Sequence, residues 1–211
     1  MTRVTIVDYG LANIRSVVNA FEYLGAEVTV AAEAAALGEA ERIVLPGVGS
    51  FPAGMRGLRE RGHEEVLRQL VLGEGCPYLG ICLGMQFLFE CSEEGDEPGL
   101  GWFSGSVLRF DDGVGQPKVP HIGWNDVRVL ADSCLFAGIE SAADFYFVHS
   151  YYVPLASEAG RATPGVCHYG VDFAAACERG NIFACQFHPE KSQLAGMKLL
   201  QNFLAIEPER A

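Results

Sequence analysis

Apolar residues along this chain follow two patterns, and the change between them falls near Pro98. In the first half, residues 4–8, 42–45 and 78–81 are nearly continuous apolar runs. Such runs mark strands buried on both faces. Over 13–24, 54–61 and 64–73, apolar positions recur every three to four residues, the period of a helix with one buried face. Residues 27–31 read as another strand, 34–41 as a short helical or loop link, and 85–91 as a helix. Strand and helix alternating in this way predict a mostly parallel sheet with helices on both faces.

Beyond Pro98, segments 106–110, 126–130, 145–153, 166–169, 173–178 and 182–187 are β-rich or alternate apolar with polar, with turn residues between them. They predict a mixed or antiparallel extension of the sheet. An amphipathic helix over 193–204 closes the pattern. The expected fold class is α/β: a mostly parallel central sheet flanked by helices, with a mixed or antiparallel β extension in the second half. No repeat, low-complexity tract or long linker interrupts it, and 211 residues suit one domain over 1–211 with an ample core.

Charge removes several function classes. Lysine and arginine total 15 against 27 aspartate and glutamate, a net charge of −12, with no basic block. That argues against nucleic acid and against an anionic membrane surface as partners. The longest apolar stretch, 78–89, is well short of the roughly 20 residues that span a bilayer. The amino end enters a strand without a signal-peptide pattern. Seven cysteines, none in C-x-x-C spacing, indicate neither a zinc site nor a disulfide framework. Cys177 and Cys185 flank an expected hairpin turn at 179–181 and read as reduced strand residues. These features fit a cytoplasmic setting.

The candidate chemistry starts at Gly80-Ile81-Cys82-Leu83-Gly84, a G-x-C-x-G at a strand-to-helix turn. Glycines two before and two after the cysteine remove Cβ atoms where strand and helix crowd. The arrangement is that of a nucleophile elbow with Cys82 at its tip, where a helix amino terminus favours a thiolate. The same residues also fit a buried structural cysteine in a glycine-rich turn. A nucleophilic thiol needs a base, and the base an orienter. In Phe187-His188-Pro189-Glu190, His188 and Glu190 are two apart and, if extended, point the same way. Gly47-Val48-Gly49, after the strand at 42–45, allows the close backbone approach that an oxyanion hole requires. Taken alone, it also fits an ordinary strand–helix turn.

These pieces, in this order, resemble the triad-type (class I) glutamine amidotransferases. PGVGSF at 46–51, PHIGWN at 120–125, FYFVHSYY at 145–152 and FHPEKS at 187–192 resemble, more narrowly, the glutaminase subunits of imidazole glycerol phosphate synthases in histidine biosynthesis. The resemblance runs from Asp8 to the last helix. It implies a flavodoxin-like fold and a catalytic triad of Cys82, His188 and Glu190. It places the oxyanion donors on Leu83 and on the Gly47-Val48 peptide. It implies glutamine contacts from Gly49, Gln86, His149, Ser150 and Tyr151. It also implies a partner surface including Asn13, His121, Trp124 and Asn125, facing a synthase (cyclase) subunit with a (β/α)8 barrel that receives ammonia through a channel. Neither metal nor cofactor is expected. Many relatives carry a second glycine where Ala12 stands, which leaves the conformation of the 10–13 loop open. The rival readings are an amidotransferase subunit serving another synthase, such as anthranilate or aminodeoxychorismate synthase, a stand-alone γ-glutamyl thiol hydrolase, and a non-catalytic regulatory subunit.

Overall fold

A computed structural model of the chain describes residues 2–11, 13–130, 132–158 and 163–207. Ala12 therefore lies outside the described residues. The parallel half of the main sheet is made by β1 (Arg3–Val7), β2 (Glu27–Ala31), β3 (Ile43–Gly47), β4 (Tyr78–Cys82) and β12 (Ile182–Cys185). The antiparallel half continues through β11 (Val171–Arg179), β10 (Gly165–Tyr169), β7 (His121–Val129) and β8 (Ala143–His149). The order is β2-β1-β3-β4-β12-β11-β10-β7-β8, a nine-stranded sheet. A smaller sheet holds β5 (Phe89–Ser92), β6 (Phe103–Arg109) and β9 (Tyr151–Tyr152).

The continuous apolar runs are explained by burial on both faces. Along β4, Tyr78 packs into one core layer and Leu79 and Ile81 into the other. Helices α2 (Phe51–Glu60) and α3 (His63–Arg68) cover the first layer through Phe51, Met55, Leu58 and Leu67. Helices α1 (Ile14–Tyr23) and α5 (Gln193–Leu204) cover the second through Val17, Phe21, Leu199 and Phe203. Phe21 and Phe203 meet edge to face at 6.4 Å. Each such ring contributes about 1.5–3 kcal/mol by burial. Cys177 and Cys185 sit on adjacent rungs of the β11–β12 hairpin, opposite Ala184 and Ala176, as free thiols.

Three expected elements differ from those observed. The helix expected at 85–91 is a single turn, α4 (Leu83–Gln86), followed at once by β5. The carbonyls that would extend the helix are taken by the incoming chain: Leu100 N–H donates to Phe87, Phe103 to Leu88, and Gly101 to Phe89. The strand expected at 145–153 breaks at Ser150, where the chain leaves the main sheet as β8 and joins the small one as β9. The helix expected at 64–73 is α3 followed by a π-helical turn at Gln69–Gly73.

Candidate active site

The elbow forms because only glycines fit beside it. A Cβ on Gly80 would lie 2.6 Å from the Gly84 carbonyl oxygen, and one on Gly84 would lie 1.8 Å from that of Leu45. Cys82 takes φ +55° and ψ −106° between β4 and α4, a left-handed conformation that is costly for any residue with a side chain. Gly47 lies opposite Cys82 in the β3–β4 register, so the carboxyl ends of both strands meet at one point.

His188 and Glu190 arrive there from the end of β12. Their contact does not use an extended segment, as the sequence leads one to expect. His188 itself is extended, but Pro189–Lys191 form a turn of 3-10 helix that brings Glu190 back under the ring. His188 Nδ1 donates to Glu190 Oε1 at 2.9 Å, and the two side chains are 3% and 1% exposed. Ser192 Oγ donates to the His188 carbonyl at 2.6 Å and holds the turn. With Nδ1 committed, Nε2 is the nitrogen left for chemistry; it has no hydrogen-bond partner among the described residues. Burial alone would drive the ring neutral. The nearby Cys82 sulfur and the Glu190 carboxylate favour the charged ring, outweigh burial and raise the His188 pKa to about 10. The arrangement is a thiol, a base whose protonated form is favoured, and a carboxylate fixing the base's tautomer.

Cys82 and His188 open on a pocket of about 280 Å³, with Glu190 on the far nitrogen of the ring. Gly49, Gln86, His149, Ser150 and Tyr151, the expected glutamine contacts, all line it, as do Val48, Leu83, Cys82 and His188. Gly47 does not line it. It packs underneath, where a Cβ would lie 2.4 Å from the Tyr9 hydroxyl and 2.7 Å from Leu83 Cβ. The Val48 amide, expected as an oxyanion donor, instead donates to the Leu11 carbonyl at 3.1 Å. Leu83 opens α4, where a helix leaves its first amides without internal acceptors.

Residues 5–206 match the family model described as glutamine amidotransferase class-I. The chain belongs to that family. An imidazole glycerol phosphate synthase subunit HisH from Dechloromonas aromatica (strain RCB) is 47% identical over 213 residues, covering 97% of each chain. The protein of the same name from Geobacter sulfurreducens (strain ATCC 51573 / DSM 12127 / PCA) is 47% identical over 209 residues, covering 96% of this chain and 98% of its own. A solved structure described as a glutamine amidotransferase shares the fold, with a TM-score of 0.72 at 21% identity, covering 95% of this chain and 97% of that one.

In this amidotransferase three of the four residues expected on the partner surface lie on β7 and divide by strand alternation. Trp124 is 48% exposed on β7, beside Ile122 at 60%, and meets Tyr146 edge to face at 6.0 Å. Asn13 is exposed at the start of α1. His121 and Asn125 point the other way: His121 is buried, and its ring stacks on Phe147 and Tyr169. Both belong to a polar chain that ends at the pocket wall.

Two residues of the amidotransferase site escape the sequence reading. Gln186, wholly buried, donates from Nε2 to Cys82 Sγ at 3.5 Å and accepts from Gln86 at 3.0 Å. Its signal was available: a glutamine inside a buried strand run needs partners there. Glu94 lines the pocket and accepts the Phe51 amide at 2.7 Å, and burial raises its pKa. Nothing in its loop sequence marks it.

Proposed function

We propose that this chain is the glutaminase subunit of an imidazole glycerol phosphate synthase. The observation that carries the reading is that Cys82 and His188, the latter backed by Glu190, line one pocket with every residue expected to touch glutamine. The full-length likeness to HisH relatives supplies the biosynthetic setting.

In this reading Cys82 Sγ attacks the side-chain amide carbon of glutamine. His188 holds the thiol proton as an imidazolium and delivers it to the departing ammonia, leaving a γ-glutamyl thioester. Water, deprotonated by the now neutral His188, adds to the thioester; glutamate leaves and the proton returns to the thiolate–imidazole pair. Glu190 keeps Nδ1 protonated and stabilises the cation. The Leu83 and Val48 amides hold the tetrahedral oxyanion once Val48 has turned from Leu11, each worth roughly 2.7–4 kcal/mol. Ammonia passes to a synthase subunit, which by the family resemblance is a (β/α)8 barrel. The free thiols support a cytoplasmic setting, and no helix among the described residues is long and apolar enough to cross a membrane.

The test is glutamate release from glutamine with and without the synthase subunit and its ribotide ligand. The reading predicts slow turnover alone and a large rise with the loaded partner. Full-rate hydrolysis by the isolated chain, unaffected by any synthase subunit, would contradict it.

A further inference from the structure

The Gln186 amide sits between Gln86 and Cys82, and its polarity is set by a backbone carbonyl. Tyr151 O can only accept. Gln86 Nε2 lies 3.1 Å from it, so Gln86 presents its NH2 there. The same NH2 lies 3.0 Å from Gln186 Oε1. Gln186 therefore turns its oxygen to Gln86 and its NH2 to Cys82 Sγ, 3.5 Å away. Reversing Gln86 would set its oxygen against the Tyr151 carbonyl, and reversing Gln186 would set two NH2 groups face to face.

The carbonyl is held from its other side by a second directional arm. His149 Nδ1 donates to Tyr151 O at 2.8 Å, which leaves Nε2 to accept from His121 Nδ1 at 2.9 Å. His121 Nε2 then accepts from Asn125 Nδ2 at 3.2 Å, and Asn125 also donates to the His168 carbonyl at 3.0 Å. Burial lowers the His149 pKa to about 3 and that of His121 to about 4, so both rings are neutral and each nitrogen has one role.

We propose that Gln186 stabilises the Cys82 thiolate, its donor end aimed at Sγ by a relay from the Tyr151 carbonyl, itself held in place by His149, through Gln86. The inference rests on Cys82 being the nucleophile. A donor at sulfur favours the anion, and the one-turn α4 adds little of a helix dipole. The other titratable groups around Sγ are His188 with Glu190 beyond β12, Cys185 on β12, Tyr9 beyond β1 and His149 on β8. Glu94 faces the pocket from the loop after β5. None of these is altered in the variants below.

The experiment follows iodoacetamide alkylation of the Cys82 peptide against pH in the full chain, read by mass spectrometry. Gln186→Met keeps the volume and removes the donor; the alkylation midpoint should rise by about one pH unit, the scale of losing a hydrogen bond to a charged group. Gln86→Met frees the Gln186 amide to turn its oxygen to sulfur, and the midpoint should rise there too. An unmoved midpoint in Gln186→Met overturns the proposal, and a rise in that variant alone overturns the relay. If neither variant folds, the unaltered chain decides. The Gln186 side-chain N–H resonances should titrate with the alkylation midpoint, and resonances indifferent to it overturn the proposal. Alkylation reads sulfur without glutamine. A chain whose midpoint responds as stated yet hydrolyses no glutamine supports this inference and fails the functional reading.

Discussion

The Val48 amide, the oxyanion donor of the proposed mechanism, donates to the Leu11 carbonyl at 3.1 Å. One residue earlier, Gly47 is fixed opposite Cys82 by the sheet; one residue later, Gly49 sits at φ +101°. Gly47 thus sits on a rigid strand and Gly49 in a permissive turn, and the Val48 donor between them is spent outside the pocket. Withholding one such donor costs roughly 10²–10³ in turnover. Gly49→Ala should therefore lower the partner-stimulated rate of glutamate release far more than the unstimulated one. Equal losses in both would place the slow step elsewhere.

In the proposed mechanism His188 and Glu190 divide their labour unequally. His188→Ala removes the group that carries the proton and should reduce glutaminase turnover by about 10⁴-fold or more. Glu190→Ala removes only the orienter and should leave at least about tenfold more activity than that. Steady-state rates of glutamate formation check the ranking, and a wild-type rate in the Glu190 variant would reduce the triad to a dyad.

The raised His188 pKa fixes the direction of the pH profile. The folded chain keeps a proton on the ring up to about 10, where an unperturbed histidine loses it near 6.5. The pair's contribution to stability is therefore complete below about 6.5 and is lost as pH rises toward 10. Activity should likewise persist through the neutral range and fall on an alkaline limb near the His188 value, because the proton for departing ammonia is then gone. Glu190→Gln removes one of the raising influences and should move that limb to lower pH in a kcat/KM profile. A limb that stays in place would show that Glu190 does not stabilise the cation.

Crowding at the elbow predicts a stability effect separable from chemistry. The Cβ of Gly84→Ala would press on a backbone oxygen of β3 that cannot swing aside. The variant should lose about 3 kcal/mol or more, read from thermal or denaturant unfolding. A melting point near that of the wild type would mean that the elbow relaxes more freely than its packing implies.

Trp124 offers a large apolar face to solvent on the outward side of β7. Trp124→Ala should leave the melting transition in place and weaken synthase binding by at least about tenfold, the usual loss for a central aromatic anchor. Synthesis from free ammonia by the partner alone should not change. Calorimetry of complex formation checks the affinity, and unaltered binding would remove Trp124 from the interface.

The parallel half of the sheet and the elbow were legible in the sequence because both impose local rules. Strands covered on both faces must be apolar throughout, and a crowded turn must be glycine at 80 and 84. The short α4 was not legible: 85–91 has a helical composition, and the carbonyls are taken by segment 99–103 across a loop, a pairing no local periodicity records. The His188–Glu190 contact is legible as residue types, but the spacing suggests an extended segment where the chain makes a 3-10 turn. Gln186 and the inward set of His121 and Asn125 were hidden for a third reason. Their roles come from pairing across β7, β8 and α4, which no local pattern records.

The central claim, that glutamine is broken at Cys82, is tested most directly by intact-mass analysis after treatment with an electrophilic glutamine analogue. The account predicts a single adduct per chain, located on Cys82 and absent in Cys82→Ser. An adduct that persists in that variant, on Cys76, Cys91 or any other residue, would contradict it.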